Sequence, residues 1–335
     1  MKFVIKLFPE IIVKSRPVRK QFISQLRKNL KKVLEPIVTS HQLTGTWDFI
    51  ELDIPESEPE VESKVVSRLQ STPGIDFILK VNEHSFSSIE DISQVVINEF
   101  KNKVEGKTFC VRVKRSGKHA FNSIDIERQS GGALLHNSQA AGVKLKNPEV
   151  TVNLEIRGDK LLTVVERIQG LGGFPIGQQE SCVSLISGGY DSTVSSYLMM
   201  KRGIRTHFCF FNLGGIAHEV GVKQVAHYLW EKYSLSHRTL FITIPFEEVV
   251  SEILTKIDHS QMGVILKRMM LRVADQVAEE FNAPALVTAW ATASQRDKIA
   301  RQSRTSAGFG HIDSDRSGLS EKRSLLRRML EDQAW

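Results

Sequence analysis

Six consecutive residues, Ser187-Gly188-Gly189-Tyr190-Asp191-Ser192, combine the residue types that phosphate chemistry needs. They follow the apolar run 183–186 and precede a stretch with helical spacing over 193–201, so they read as a loop between a buried strand and a helix. Glycine has no Cβ, which lets backbone N–H groups come close to a phosphate. A helix N-terminus adds partial positive charge there. The hydroxyls of Ser187 and Ser192 are expected to donate to phosphate oxygens. Asp191 repels an anion unless a cation stands between them. It is therefore expected to act through Mg²⁺, bridging it to the phosphates, and is the candidate catalytic residue. The plainer alternative is a tight glycine turn capped by Asp or Ser. No Walker A pattern occurs, which argues against chemistry at a γ-phosphate.

Other reactive side chains say less. Lys267 lies just beside the apolar stripe Met262, Ile265, Leu266, Met269, Val273, Val277 and Phe281 of a predicted helix over 262–281. It could reach a phosphate there, although spacing alone equally describes a solvated lysine. Cys110, Cys182 and Cys209 form neither a disulfide framework nor a C-x-x-C pattern. Cys182 and Cys209, on or beside predicted buried strands, read as core thiols. His218 and His227 flank predicted strands and are given no role.

The charge distribution points to a polyanion. Net charge is +7, and residues 1–48 hold ten Lys/Arg against three Asp/Glu, the whole of the excess. Nucleic acid is the first expected partner and an acidic membrane surface the second; a solubilising charged face is the plain alternative. A helix over about 17–35 places Val18, Phe22, Leu26, Leu30 and Val33 on one side. Arg16, Lys20, Arg27, Lys28, Lys31 and Lys32 lie on the other. In a strand over 109–115, Phe109, Val111 and Val113 alternate with Cys110, Arg112 and Lys114, and Arg115 extends the cationic side. Arg16, Lys20, Arg27, Lys31, Arg112, Lys114 and Arg115 are the candidate RNA contacts. No aromatic stacking pattern is evident, so recognition by RNA shape is expected.

These residues need elements to position them. Strands over 2–8 and 47–54 flank the basic helix and form a first α+β module, closed by the Pro- and Glu-rich stretch 55–62. A second module holds helices over 60–69 and 88–104, strands over 75–81 and 109–115, and a helix finishing over 134–143. A hairpin of 150–156 and 160–165 turns at Gly158-Asp159, and the glycine-rich 170–177 reads as a linker. From 183 onward strands and helices alternate, which implies a parallel sheet. Its strands fall over 183–186, 206–211, 238–244 and from 286, and its helices over 193–201, 222–230 and 262–281. A chain of 335 residues with 41% apolar content suits two or three domains. No apolar run of membrane-spanning length and no signal peptide is found, and with so few cysteines a reducing, cytoplasmic location is expected.

The order S-G-G-x-D-S after an apolar strand is similar to the signature of the PP-loop ATP pyrophosphatases. That resemblance implies cleavage of ATP between its α- and β-phosphates and adenylation of a carbonyl oxygen. Together with Phe210-Phe211-Asn212-Leu213-Gly214-Gly215 and Ile265-Leu266-Lys267-Arg268-Met269-Met270, the loop resembles the tRNA 4-thiouridine synthetases, the ThiI family. The resemblance covers residues 1 to about 288. It implies a ferredoxin-like domain over 1–60, a THUMP RNA-binding domain over 61–168, a linker over 169–177 and a PP-loop domain over 178–288. It implies tRNA as substrate, ATP and Mg²⁺, and a cysteine desulfurase or other persulfide donor. A role in thiamine thiazole synthesis, with the thiamine sulfur-carrier protein, is implied as well. Leu185 and Ile186 match positions that line the nucleotide, and Lys267 a lysine that contacts it. After Thr288 the pattern stops: the tail 289–335 is rich in Ser and Arg, holds no cysteine, and looks helical only over 320–330. A frameshift or an assembly error near Thr288 is expected ahead of a genuine tail, with the parallel sheet cut short. The alternatives are a catalytically incomplete tRNA-binding relic, or another PP-loop adenylating enzyme such as an amidotransferase.

Overall fold

The computed structural model describes residues 1–45, 48–55 and 58–289, and the backbone alone of 310–311. Strand β1 (Lys2–Leu7) leads to helices α1 (Pro9–Ile12) and α2 (Arg16–Leu34), then to β2 (Gln42–Gly45) and β3 (Phe49–Asp53). Next come α3 (Pro59–Gln70), β4 (Ile75–Ser85), α4 (Ile89–Phe100), β5 (Thr108–Ser116) and α5 (Ser123–His136). Strands β6 (Gly142–Val143), β7 (Val150–Arg157) and β8 (Lys160–Gly172) follow. The remaining order is β9 (Ser181–Leu185), α6 (Tyr190–Lys201), β10 (Arg205–Asn212), α7 (Ile216–Leu229), a π-helical turn (Trp230–Ser234) and β11 (Phe241–Pro245). Helices α8 (Glu247–Lys256) and α9 (Met262–Glu280) then precede β12 (Ala285–Val287) and β13 (Gly310–His311).

These elements fall into two compact units. The first comprises Met1–Lys6, Val38–Ser63 and Phe77–Gln169. Its eight strands run in the order β2-β3-β1-β4-β8-β7-β5-β6. Helices α4 and α5 both start with a capping box, Ser88 with Asp91 and Asn122 with Asp125, which satisfies the orphan N–H groups of the first turn. Ile92, Val96 and Phe100 of α4, with Ile126 and Leu134 of α5, bury against Phe109 and Val111 of β5 and Val152 and Leu154 of β7. Each such side chain contributes about 1.5–3 kcal/mol on burial.

The second unit comprises Leu7–Ile37, Lys64–Asp76 and the chain from Gly170. Its sheet has the order β11-β10-β9-β12-β13, with the first four strands parallel. Alternation along the strands feeds two cores. Val183, Leu185, Cys209 and Phe211 meet α9 residues such as Ala274 and Val277 on one face. Ile186, Phe208 and Phe210 meet Met200, Val222 and Leu229 on the other. Strand β9 therefore lies between β10, which the chain reaches first, and β12, which it reaches after wrapping round the sheet. This is the switch point at which open parallel sheets place ligands, beyond the strand C-termini.

Several expectations need correcting. The helix predicted to finish over 134–143 ends at His136, and Gly142–Val143 is instead a strand paired with β5. Helix α6 starts at Tyr190 rather than at 193, so Asp191 and Ser192 sit in its first turn. Its buried face is Ser192, Ser196 and Met200, while Val194 and Leu198 are exposed. Val18 of α2 is 37% exposed, and the helix buries Ile23, Leu26, Asn29, Leu30, Val33 and Leu34. Cys110 is buried with Phe109 and Val111, so the opposite face of β5 turns cationic only from Arg112. The stretch read as a linker begins inside β8, and Phe174, Pro175 and Ile176 within it are buried. Helix α8 and strand β2 were not anticipated, although Val249, Val250, Ile253 and Leu254 give α8 a helical spacing of apolar residues. Trp47 and the tail expectations, including the helix over 320–330, lie outside the described residues.

Gly173 shows how tightly that segment is held. It sits at φ +75, and a Cβ there would stand 1.8 Å from Lys201 O. Gly173→Ala should lower stability by about 3 kcal/mol, since steric overlap with a backbone oxygen adds to left-handed strain. Gly106 has a similar φ of +66 but open space around it. Gly106→Ala should cost only about 1 kcal/mol. Urea denaturation of the two variants checks this, and equal losses would show that the crowding at Gly173 relaxes freely.

Candidate functional site

Strand β9 is buried along its whole length, and the chain surfaces abruptly at Ser187. Gly188 takes φ +77, which an L side chain adopts only under strain, and a Cβ on it would lie 3.1 Å from Val222 Cγ2 of α7. Helix α7 thus supports the loop from below. Gly189 caps α6 without a side-chain bond. Helix geometry leaves the N–H groups of Tyr190, Asp191 and Ser192 without partners inside α6. Three donors without intrahelical partners and the positive end of the helix dipole therefore stand at the switch point.

The serines do a different job from the one expected of them. Ser192 is only 5% exposed. Its Oγ lies 3.0 Å from Gly189 O, accepts from Ser187 N at 3.2 Å and lies 3.2 Å from Ser187 Oγ. A hydroxyl has one hydrogen, and the Gly189 carbonyl takes it. Beneath it, Ser196 Oγ donates to Ser192 O at 2.7 Å and meets Ser184 Oγ of β9 at 2.8 Å. Ser192 braces the loop from inside, whereas Ser187 keeps an exposed hydroxyl.

Leu185 and Ile186 end the strand, and their side chains enter opposite cores. Ile186 N donates to Cys209 O at 2.9 Å. What these two residues can offer a ligand is backbone at the strand end, not side chain. Asp191 is exposed in the first turn of α6. Among the described residues no three His, Cys, Asp or Glu side chains gather to hold a metal ion. A single carboxylate suits Mg²⁺, which keeps several waters and takes the rest of its ligands from phosphate oxygens. Lys267 is half-buried on α9, next to Leu266 in the group that covers Val183 and Leu185.

A second loop, which the sequence reading did not assign, is pinned beside the first. Asn212 ends β10, and its Oδ1 accepts from Gly214 N at 3.0 Å. Its Nδ2 donates to Glu219 Oε2 at 2.9 Å, while Glu219 Oε1 takes Thr243 Oγ1 at 3.1 Å and Lys223 Nζ at 2.8 Å. The bond from Lys223 holds the Glu219 carboxyl below its ordinary range, against a smaller opposing effect of burial. Gly214 and Gly215 take φ +136 and +102, so the pair of glycines was the available signal.

The remaining candidates are spread over both units. Arg16, Lys20, Arg27 and Lys31 are exposed on α2 in the second unit. Arg112, Lys114 and Arg115 are exposed on β5 in the first. Arg112 Nη2 donates to Leu145 O at 2.7 Å and Arg115 Nη1 lies 3.1 Å from His119 Nδ1, so each is already oriented by its own unit. Cys110, Cys182 and Cys209 are all buried. Burial pushes the Cys209 thiol up to about 12, and the Cys182 thiol up to about 11 against a hydrogen bond with Thr206.

Comparison with known proteins decides the family. Residues 177–296 match the family model described as "Thiamine biosynthesis protein (ThiI)". Residues 83–165 match the THUMP domain and residues 2–78 the ThiI ferredoxin-like domain. The chain belongs to the ThiI family. The ThiI match runs past Thr288, where the sequence reading placed the departure from the family pattern. A tRNA sulfurtransferase of Shewanella sp. (strain MR-7) is 54% identical over 288 residues, covering 86% of this chain. That of Shewanella oneidensis is 53% identical over the same length. The chain spans 60% of the length of these ThiI relatives. A solved 4-thiouridine synthetase–RNA complex with bound ATP superimposes with a TM-score of 0.73 at 24% identity, over 86% of this chain and 72% of that one. PH1313 from Pyrococcus horikoshii superimposes with a TM-score of 0.69 at 19% identity, over 90% and 89%. The fold is the ThiI set of ferredoxin-like, THUMP and PP-loop domains.

Two variants test the loop with ATP as the probe. Gly188→Val should weaken ATP binding about tenfold or more, because its side chain meets Val222 and blocks the backbone approach. Asp191→Ala should abolish the Mg²⁺-dependent part of the affinity and leave any metal-free part in place. Calorimetry with and without Mg²⁺ reads both, and wild-type affinity in both variants would reduce the loop to a turn.

Proposed function

We propose that the chain binds ATP at Ser187–Ser192 and activates a tRNA uridine for sulfur transfer, giving 4-thiouridine. The observation that carries this reading is the glycine loop at the switch point, braced by Ser192 and leading into a helix whose first N–H groups have no partner inside it. On this reading the N–H groups of the α6 first turn, with the Ser187 hydroxyl, hold the phosphates. Lys267 reaches the nucleotide from α9, and the strand end at Leu185 and Ile186 lines it through its backbone. Mg²⁺, held by Asp191 and the phosphates, would offset the charge of the leaving pyrophosphate. The uridine O4 attacks the α-phosphorus and pyrophosphate departs. The terminal sulfur of a donor persulfide then attacks C4, and AMP leaves with the oxygen. A second thiol, also from outside the described residues, attacks the donor sulfur of the resulting C4–S–S–donor disulfide, forming a disulfide with it and releasing 4-thiouridine.

The sulfur has to come from outside the described residues, because the three thiols are buried and two of them are pushed far from the thiolate form. This supports a separate persulfide donor, such as a cysteine desulfurase. A further role as sulfur donor in thiamine thiazole synthesis is proposed on family membership alone. The RNA is held by Arg16, Lys20, Arg27 and Lys31 of α2 and by Arg112, Lys114 and Arg115 of β5.

The decisive experiment incubates the chain with ATP, Mg²⁺, an unmodified tRNA transcript and sulfide, following AMP by chromatography and nucleosides by mass spectrometry. RNA-dependent AMP and 4-thiouridine together support the reading; AMP formed equally without RNA points to another adenylating activity. Binding of the transcript should also weaken steeply with salt, because phosphate contacts release counterions. The log–log slope should fall by about 0.7–0.9 for each contact. Removing Lys20 and Lys31 together should flatten that slope by nearly two such steps, and an unchanged slope would take α2 out of the interface.

A further inference from the structure

The strand β9 is preceded by a short segment that joins two helices of the second unit. Phe174 N donates to Lys201 O at the end of α6, at 3.1 Å. The Phe174 ring packs on Phe22 of α2 with centroids 5.4 Å apart. Two residues on, Ile176 O accepts from Asn29 Nδ2 of α2 at 2.9 Å. Gln25 Nε2 donates to Asn29 Oδ1 at 2.9 Å and lies 3.4 Å from His237 Nε2, whose Nδ1 is 2.9 Å from Ser236 Oγ. Lys32 Nζ donates to Ser236 O at 3.1 Å. At Gly177, with φ +98, a Cβ would stand 2.5 Å from His237 Nε2. The junction has no room for another side chain.

Asn29 is the unexpected member. It is 2% exposed and shares the inward side of α2 with Leu26, Leu30 and Val33. Greasy packing tolerates small slips of a helix, whereas a buried amide tolerates only the position in which its donors and acceptor are met. Asn29 satisfies both ends at once, taking Gln25 and giving to Ile176. Helix α2 exposes Arg16, Lys20, Arg27 and Lys31 on its outer side. Helix α6, whose far end the same segment grips, begins at the phosphate loop.

We propose that Asn29, supported by Gln25 and Lys32, is a positioning residue that sets the cationic face of α2 in a single register against the helix that starts at the phosphate loop. RNA held on α2 then meets the nucleotide in one orientation. This rests on the proposed function for its consequence, but not for its geometry.

The test uses the full chain with spin labels at Gln21→Cys and Val194→Cys, both exposed, while the three native thiols are buried and stay unlabelled. Pulsed electron resonance should give one narrow distance distribution, which broadens or splits in Asn29→Leu and in Lys32→Met. Lys32 is exposed, so its variant folds even if Asn29→Leu does not. In parallel, ATP affinity is measured with and without an unmodified tRNA transcript. The transcript should change it about fivefold or more in the parent protein, and that ratio should fall towards one in both variants, with the affinity for ATP alone retained. A distribution unchanged in both variants overturns the proposal. So does a broadened one with the ratio intact, or a parent that binds both ligands without influence of one on the other. A parent that binds no transcript overturns the function reading instead, and the distance arm still decides the register.

Discussion

A loop proposed to bind phosphate must leave its amide hydrogens unspent and still keep its shape. Here the second demand falls on the layer beneath. Ser192 ties Gly189 O and Ser187 N together, Ser196 holds Ser192 O, and Ser184 of β9 meets Ser196. All of these bonds lie between the strand and the first two turns of α6, where an apolar contact would hold the elements apart without orienting the loop. This explains why α6 turns hydroxyls inward and leaves Val194 and Leu198 outside. Strand burial, the glycine conformations and the support from Val222 all serve to hold the start of α6 in one conformation.

Much of this was legible in the sequence, and the misses have physical causes. The loop, its flanking strand and the basic helix could be read because glycine, charge and apolar periodicity act locally. Ser192 could be identified as part of the loop, but not as its brace, because whether a hydroxyl faces ligand or backbone depends on where the helix starts. That start was placed three residues late. Helix α5 was displaced because Gly131 and Gly132 weaken helical spacing, while the capping box at Asn122 and Asp125 sets the true beginning. Asn29 did leave a trace, as a polar residue among Leu26, Leu30 and Val33. The trace is visible only once one asks why an apolar side contains an amide.

The stretch from Gly170 to Gly177 shows how composition misleads. Glycines suggest slack, yet Gly173 and Gly177 are small because other atoms occupy the space a side chain would fill. The same residue type serves freedom at Gly106 and crowding at Gly173. Only the surroundings tell the two apart, and those surroundings come from residues distant in sequence, Lys201 in one case and His237 with Gln25 in the other.

The burial of all three cysteines has a consequence for the chain's own safety. Thiol–disulfide exchange proceeds through the thiolate, and a thiol pushed up to about 11, as at Cys182, supplies that form at neutral pH in only about one molecule in ten thousand. Cys209 supplies less still. On the proposed function, the chain works beside a persulfide donor, a reagent able to enter such exchange. Burial inside the sheet holds Cys182 and Cys209 in the protonated form and out of exchange with such a donor.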